Sequence, residues 1–83
     1  MRKDFITFRS ITPAQRGQRV LNGAGIACAL QRTPKKLAQQ GCGYCLLLRP
    51  GDVARAVVLL REQGVPFSKV YAGHESGIQE LEV

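Results

Sequence analysis

The chain contains no tryptophan, one methionine, one histidine and only five aromatic residues in 83. So few rings leave little for the base-stacking strands of an RNA-recognition sheet. Acid is scarce where base is plentiful. Residues 1–50 hold nine Lys or Arg against one Asp, a balance of +8, whereas residues 51–83 hold three against five acids, a balance of −2. The basic half therefore has no carboxylate pair for acid–base work, and the chain offers neither a Cys–His pairing at useful spacing nor a phosphate-cradling glycine motif. These absences speak against a catalyst. No apolar run nears the roughly 18 residues a membrane span needs. Met1-Arg2-Lys3-Asp4 leads straight into β-prone residues with no long apolar stretch, so the expectation is no secretory signal and a cytoplasmic location.

What is present fits one small globular domain: 45% apolar and 22% charged residues, with a net charge of +6. Three cysteines are an odd number, and in a reducing compartment they read as free thiols with chemistry rather than as a disulfide framework. A basic front half suits RNA, a phosphate-bearing molecule or an acidic protein, and serves equally well as plain solubilising charge.

One stretch concentrates the chemistry: Thr33-Pro34-Lys35-Lys36-Leu37-Ala38-Gln39-Gln40-Gly41-Cys42-Gly43-Tyr44-Cys45. Gly41 and Gly43 flank Cys42 and would let its thiol sit unshielded at a loop tip. Arg32, Lys35 and Lys36 are near enough in sequence to favour the thiolate, which is the nucleophilic form.

Around this stretch the periodicities alternate. Phe5-Ile6-Thr7-Phe8 reads as a strand. Thr12 as N-cap and Pro13 in the first helical position open a helix whose buried stripe is Ala14, Gly17, Leu21 and Ala24, with Gly25 as its stop. Ile26–Leu30 is the second strand and Tyr44–Arg49 the third. A second helix begins near Asp52, carries Val53, Ala56, Val57 and Leu60 on its buried side, and stops at Gly64. Phe67–Ala72 is the fourth strand. Val20–Ile26 and Leu59–Val65 match at an offset of 39. Two such halves give β-α-β-β-α-β, an α+β ferredoxin-like sandwich with a four-stranded antiparallel sheet and two helices on one face. The domain spans 1–72, and 73–83 is expected to be a flexible acidic tail. The uncovered sheet face, with Phe5, Thr7, Ala27, Ala29, Cys45, Leu47 and Tyr71, would suit a partner or a homodimer.

Ile6-Thr7-Phe8 with Ser10, Leu21-x-x-x-Gly25-Ile26, Thr33-Pro34, Cys42-Gly43, Leu60-x-x-x-Gly64-Val65 and Tyr71 together resemble a family of small bacterial proteins described as selenium/sulfur carrier-like. The resemblance covers about residues 4–72. It implies a carrier that holds selenium or sulfur as a (seleno)persulfide on Cys42, loaded and unloaded by donor and acceptor proteins, with no cofactor of its own. Lys35, Lys36, Gly41 and Gly43 would frame the cargo. Cys45, three residues on, is a candidate resolving thiol, releasing cargo by forming a disulfide with Cys42. It reads equally well as the small hydrophobe of a strand. Cys28 reads as a buried, inert thiol and His74 as solvent-exposed.

Two other readings stay open. Cys-x-x-Cys could hold a soft metal such as copper, although structural zinc wants four ligands and the chain has one such pair. The sheet face could bind RNA through Phe5 and Tyr71, but Cys45-Leu46-Leu47-Leu48-Arg49 carries no aromatic triplet, which counts against nucleic acid.

Overall fold

The computed structural model describes residues 3–35, 43–74 and 77–82. The elements run β1 (Asp4–Phe8), α1 (Ile11–Gly23), β2 (Cys28–Arg32), β3 (Tyr44–Leu48), α2 (Val53–Glu62), β4 (Val70–His74) and β5 (Gly77–Leu81). All strand pairs are antiparallel, and the sheet order is β2-β3-β1-β4-β5.

The fold is α+β with two helices, but the sheet has five strands where four were expected. The extra one comes from the segment read as a flexible tail. Gly77-Ile78-Gln79-Glu80-Leu81 pairs along the whole of β4, from Val70↔Leu81 to His74↔Gly77. Its backbone satisfies what would otherwise be the bare edge of β4. Leu81 packs against the core, whereas Ile78 stays exposed.

α1 also begins earlier than its sequence signals indicate. Ser10, with extended dihedrals, occupies the cap position, not Thr12, and Pro13 falls in the first turn, where a missing N–H is harmless. α2 follows Asp52 as expected, although the Asp52 side chain makes no capping hydrogen bond.

Both helices end in the same hydrogen-bonded device. Gly25 N donates to Asn22 O and Ile26 N to Leu21 O; in α2, Gly64 N donates to Arg61 O and Val65 N to Leu60 O. These are paired Schellman closures, each with glycine at positive φ. Leu21, Ile26, Leu60 and Val65 are all buried, so each closure is also clamped by an apolar contact. The echo between the two halves is therefore a shared way of stopping a helix and turning its chain into the core.

That device moves β2. Ile26 is spent on the closure and buried at the end of α1, so the strand starts at Cys28 rather than Ile26 and extends to Arg32. β4 likewise starts at Val70, because Val65–Lys69 runs as irregular chain before it. Ser68 and Lys69 of that chain are tied to Thr7 instead.

One cluster forms the core, between the helices and the face bearing Ile6, Phe8, Leu46, Leu48 and Val70. Most of the predicted stripes hold: Ala14, Gly17 and Leu21 in α1, and Ala56, Val57 and Leu60 in α2, are buried, whereas Val53 is half-buried and Ala24 lies past the helix and is exposed. Gly17 marks the tightest approach. A methyl group there would come within 3.2 Å of the Phe8 ring and 3.3 Å of Leu60, so glycine lets α1 settle against sheet and neighbour at once.

Candidate functional site at the entrance of β3

β3 is an interior strand, flanked by β1 and β2. Alternation points Tyr44, Leu46 and Leu48 toward the helices and Cys45 and Leu47 to the opposite side. Register then surrounds Cys45: Thr7 lies across from it on β1 and Gln31 across from it on β2. Beyond the strand end, Thr33 N donates to Gly43 O at 3.1 Å, so pairing continues to the residue bonded to Cys42.

Cys42, Lys36 and Gly41 lie outside the described residues. Gly43 is exposed, and an added methyl group there would meet nothing within 4 Å. The glycines at positive φ among the described residues are Gly25, Gly51, Gly64 and Gly77, so Gly43 does not draw on the left-handed freedom expected of it. Lys35 is exposed at a turn. Arg32, also exposed, holds its guanidinium 5.8 Å from the centre of the Tyr44 ring, a cation–π arrangement across the β2–β3 pair.

Cys45 is fully buried. Burial pushes its thiol pKa up from the ordinary 9.0, and the neighbouring Gln31 and Thr33 side chains offset only part of that rise. It rests as a neutral thiol. Cys28 is half-buried rather than sealed, and burial raises its pKa as well. Its thiol donates weakly to Asn22 Oδ1 at 3.6 Å and Gln18 O at 4.0 Å. Neither described cysteine is an activated nucleophile. Among the described residues no three His, Cys, Asp or Glu side chains gather closely enough to hold a metal, and no helix is long and apolar enough to cross a membrane.

The face opposite the helices is less open than alternation alone suggests. Thr7 and Cys45 are buried, Phe5, Leu47 and Tyr71 are half-buried, and Ala27 and Ala29 are exposed. At its β2 side a concavity of about 490 Å³ is lined by Lys3, Ala29, Leu47 and Arg49 among others. A second, of about 280 Å³, lies between Arg9 and Ser10 on one side and Phe67 and Ser68 on the other.

Sequence reasoning missed the two threonines beside Cys45. The sequence places Thr7 on the uncovered sheet face and Thr33 at the head of the cysteine-bearing stretch, with no link from either to Cys45. Their common signal is position, since each flanks Cys45 once the strands are registered.

A family model described as "Putative Se/S carrier protein-like" matches residues 3–72. No curated protein and no solved structure matches the chain.

Proposed function

Since the chain belongs to the selenium/sulfur carrier-like family, we propose that it holds a sulfur or selenium atom on Cys42 for transfer between partner proteins. The observation that carries this assignment is the state of the other two thiols. Cys28 and Cys45 are both held toward the neutral form by burial, whereas Cys42 adjoins an exposed glycine in a stretch with Lys35 and Lys36. The β-α-β-β-α-β element order, with β2-β3-β1-β4 as neighbours, supports a ferredoxin-like frame to which β5 is appended.

The chemistry needs no cofactor. The Cys42 thiolate attacks the terminal sulfur of a donor persulfide, the donor S–S bond breaks and the donor thiolate leaves. One sulfane sulfur has moved with no net oxidation or reduction. An acceptor thiolate reverses the step on the far side of the cycle. Lys35 and Lys36 supply positive charge toward an anionic adduct. Release through Cys45 is a different route: its thiolate attacks Cys42 Sγ, expels hydrosulfide and leaves a disulfide that an external thiol must reduce. Burial and a raised pKa make that route slow, so direct transfer is the main one. The donor and acceptor are proteins with reactive sulfur or selenium, and the cytoplasm is the compartment that keeps all three thiols reduced.

Mass spectrometry after incubation with cysteine hydropersulfide tests the assignment. The intact chain gains one sulfur, Cys28→Ser gains it too, and Cys42→Ser does not. An adduct spread over all three cysteines, or one retained in Cys42→Ser, would falsify it.

A further inference from the structure

The two outer strands of the sheet are not protected alike. β5 carries Gly77 and Glu80 and is followed by Glu82, with Glu80 engaged by Lys69 Nζ at 3.3 Å. Glycine and charge discourage an outer strand from acquiring a neighbour. β2, at the other margin, runs Cys28-Ala29-Leu30-Gln31 with no charge, no proline and no glycine before it reaches Arg32. Nothing in its own sequence blunts it.

The direction of its backbone groups follows from one bond. Thr33 N donates to Gly43 O, the residue directly across from it. In an antiparallel ladder, bonded and non-bonded pairs alternate. Counting back by twos, Gln31 and Ala29 turn their N–H and C=O groups toward β3. Arg32, Leu30 and Cys28 turn theirs outward, where no strand lies among the described residues. Three such residues make a ladder ready for one more strand.

There is room beside that ladder, and the charge around it has one sign. Ala27 and Ala29 are exposed, and with Leu47 they line the concavity of about 490 Å³, whose wall also holds Lys3 and Arg49. Beyond the other end of β2 stand Arg32 and Lys35, both exposed. Among the described residues the carboxylate within ion-pair reach of these four cations is Asp52, 3.8 Å from Arg49 Nε, and the Arg49 side chain is 68% exposed. So long and wet a pair leaves the arginine available to another anion.

This combination selects the occupant. A nucleic acid answers the charge but has no peptide groups for the ladder. A second copy brings peptide groups but also a like net charge of +6. An acidic extended peptide answers both. We propose that β2 is a docking edge for an extended acidic segment of a partner protein, which joins the five-stranded sheet as a sixth strand. Its carboxylates lie beside Lys3 and Arg49 at one end and beside Arg32 and Lys35 at the other. The proposal uses no thiol and stands apart from the carrier function.

The probe is the peptide acetyl-Glu-Thr-Val-Val-Thr-Glu-amide, whose side chains read the same in either strand direction. Amide shifts of the isotope-labelled full-length chain give its Kd, and amide hydrogen exchange shows where it lies. With peptide at about nine times its Kd, exchange at Cys28, Leu30 and Arg32 should slow about tenfold. Ala29 and Gln31, already bonded to β3, should change little. The same peptide with lysine in place of glutamate, and the acidic peptide N-methylated at both valines, should each bind about tenfold more weakly or worse. Lys3→Ala combined with Arg49→Ala should weaken the acidic peptide about fivefold or more. Equal binding of the acidic and lysine peptides, or no loss on N-methylation, overturns the proposal. So does an absence of protection along β2. Protection by poly(U) and not by the peptide, or protection that grows with chain concentration alone, also overturns it, by giving the edge to RNA or to a second copy.

Discussion

The two sides of Cys45 are built to different standards. Toward β1 and β4 the chain is tied down. Thr7 exchanges backbone and side-chain hydrogen bonds with Ser68 and Lys69, Lys69 Nζ lies 3.3 Å from Glu80 Oε1, and Gly73 N donates to Lys3 O at 2.8 Å. Toward β2, Thr33 Oγ1 meets no partner at full hydrogen-bond geometry among the described residues, Gln31 is exposed, and the strand is an outer one. One flank holds the sheet together. The other is an outer margin of the sheet, paired on one side only. The difference teaches that a very small domain can be tied firmly on one flank of a strand and lightly on the other.

That contrast can be broken from its firm side. Gly73→Ala should have the largest effect, since a methyl group there would collide with the Lys3 carbonyl, a backbone atom that cannot swing aside. We expect a loss of about 3 kcal/mol, the upper part of the overpacking range, read as a lower denaturation midpoint in urea. Thr7→Val comes next, at about 1–3 kcal/mol, because it strips a buried hydroxyl of satisfied bonds and leaves Lys69 N without its acceptor. Thr33→Val should cost less than Thr7→Val in the same melts, because no bond of full geometry to its hydroxyl exists among the described residues. Equal costs would erase the distinction between the flanks.

The smallest effect sharpens the comparison through pH. Cys28 and Cys45 both have folded pKa values raised above the ordinary 9.0. The folded state therefore keeps protons that the unfolded chain releases. Their contribution to stability is complete below that ordinary value and is lost as pH climbs through the folded values. Urea melts from pH 7 to 10.5 should show stability declining on the alkaline side. Cys45→Ala should decline less steeply than the parent, whatever its starting stability. An unchanged alkaline slope would mean that the Cys45 thiol ionises as freely folded as unfolded.

Much of the frame was legible because burial imposes periodicity. Ala14, Gly17 and Leu21, then Ala56, Val57 and Leu60, announce their helices by spacing alone, and Gly25 and Gly64 announce the closures. β5 was hidden for a physical reason: an outer strand that offers little apolar surface reads as polar chain, and only the need of β4 for a partner calls it into the sheet. β2 was displaced because Ile26 could serve either the strand or the helix closure, and the closure won. At the site, alternation gave the side on which Cys45 lies but could not reveal that the side is covered there. Thr33 is the extreme case. Its identity is plain in the sequence, but its burial beside Cys45 is a property of the surroundings and exists only in three dimensions.

The sheet order has a practical consequence. β5 and β2 form opposite margins, separated by four strand spacings, or about 19 Å. A fluorophore, an affinity handle or an entire fused domain attached beyond residue 82 would leave from the margin remote from Thr33 and Cys45. The molecule can be anchored to a bead or a sensor chip by that end while the β2–β3 margin stays open to solution.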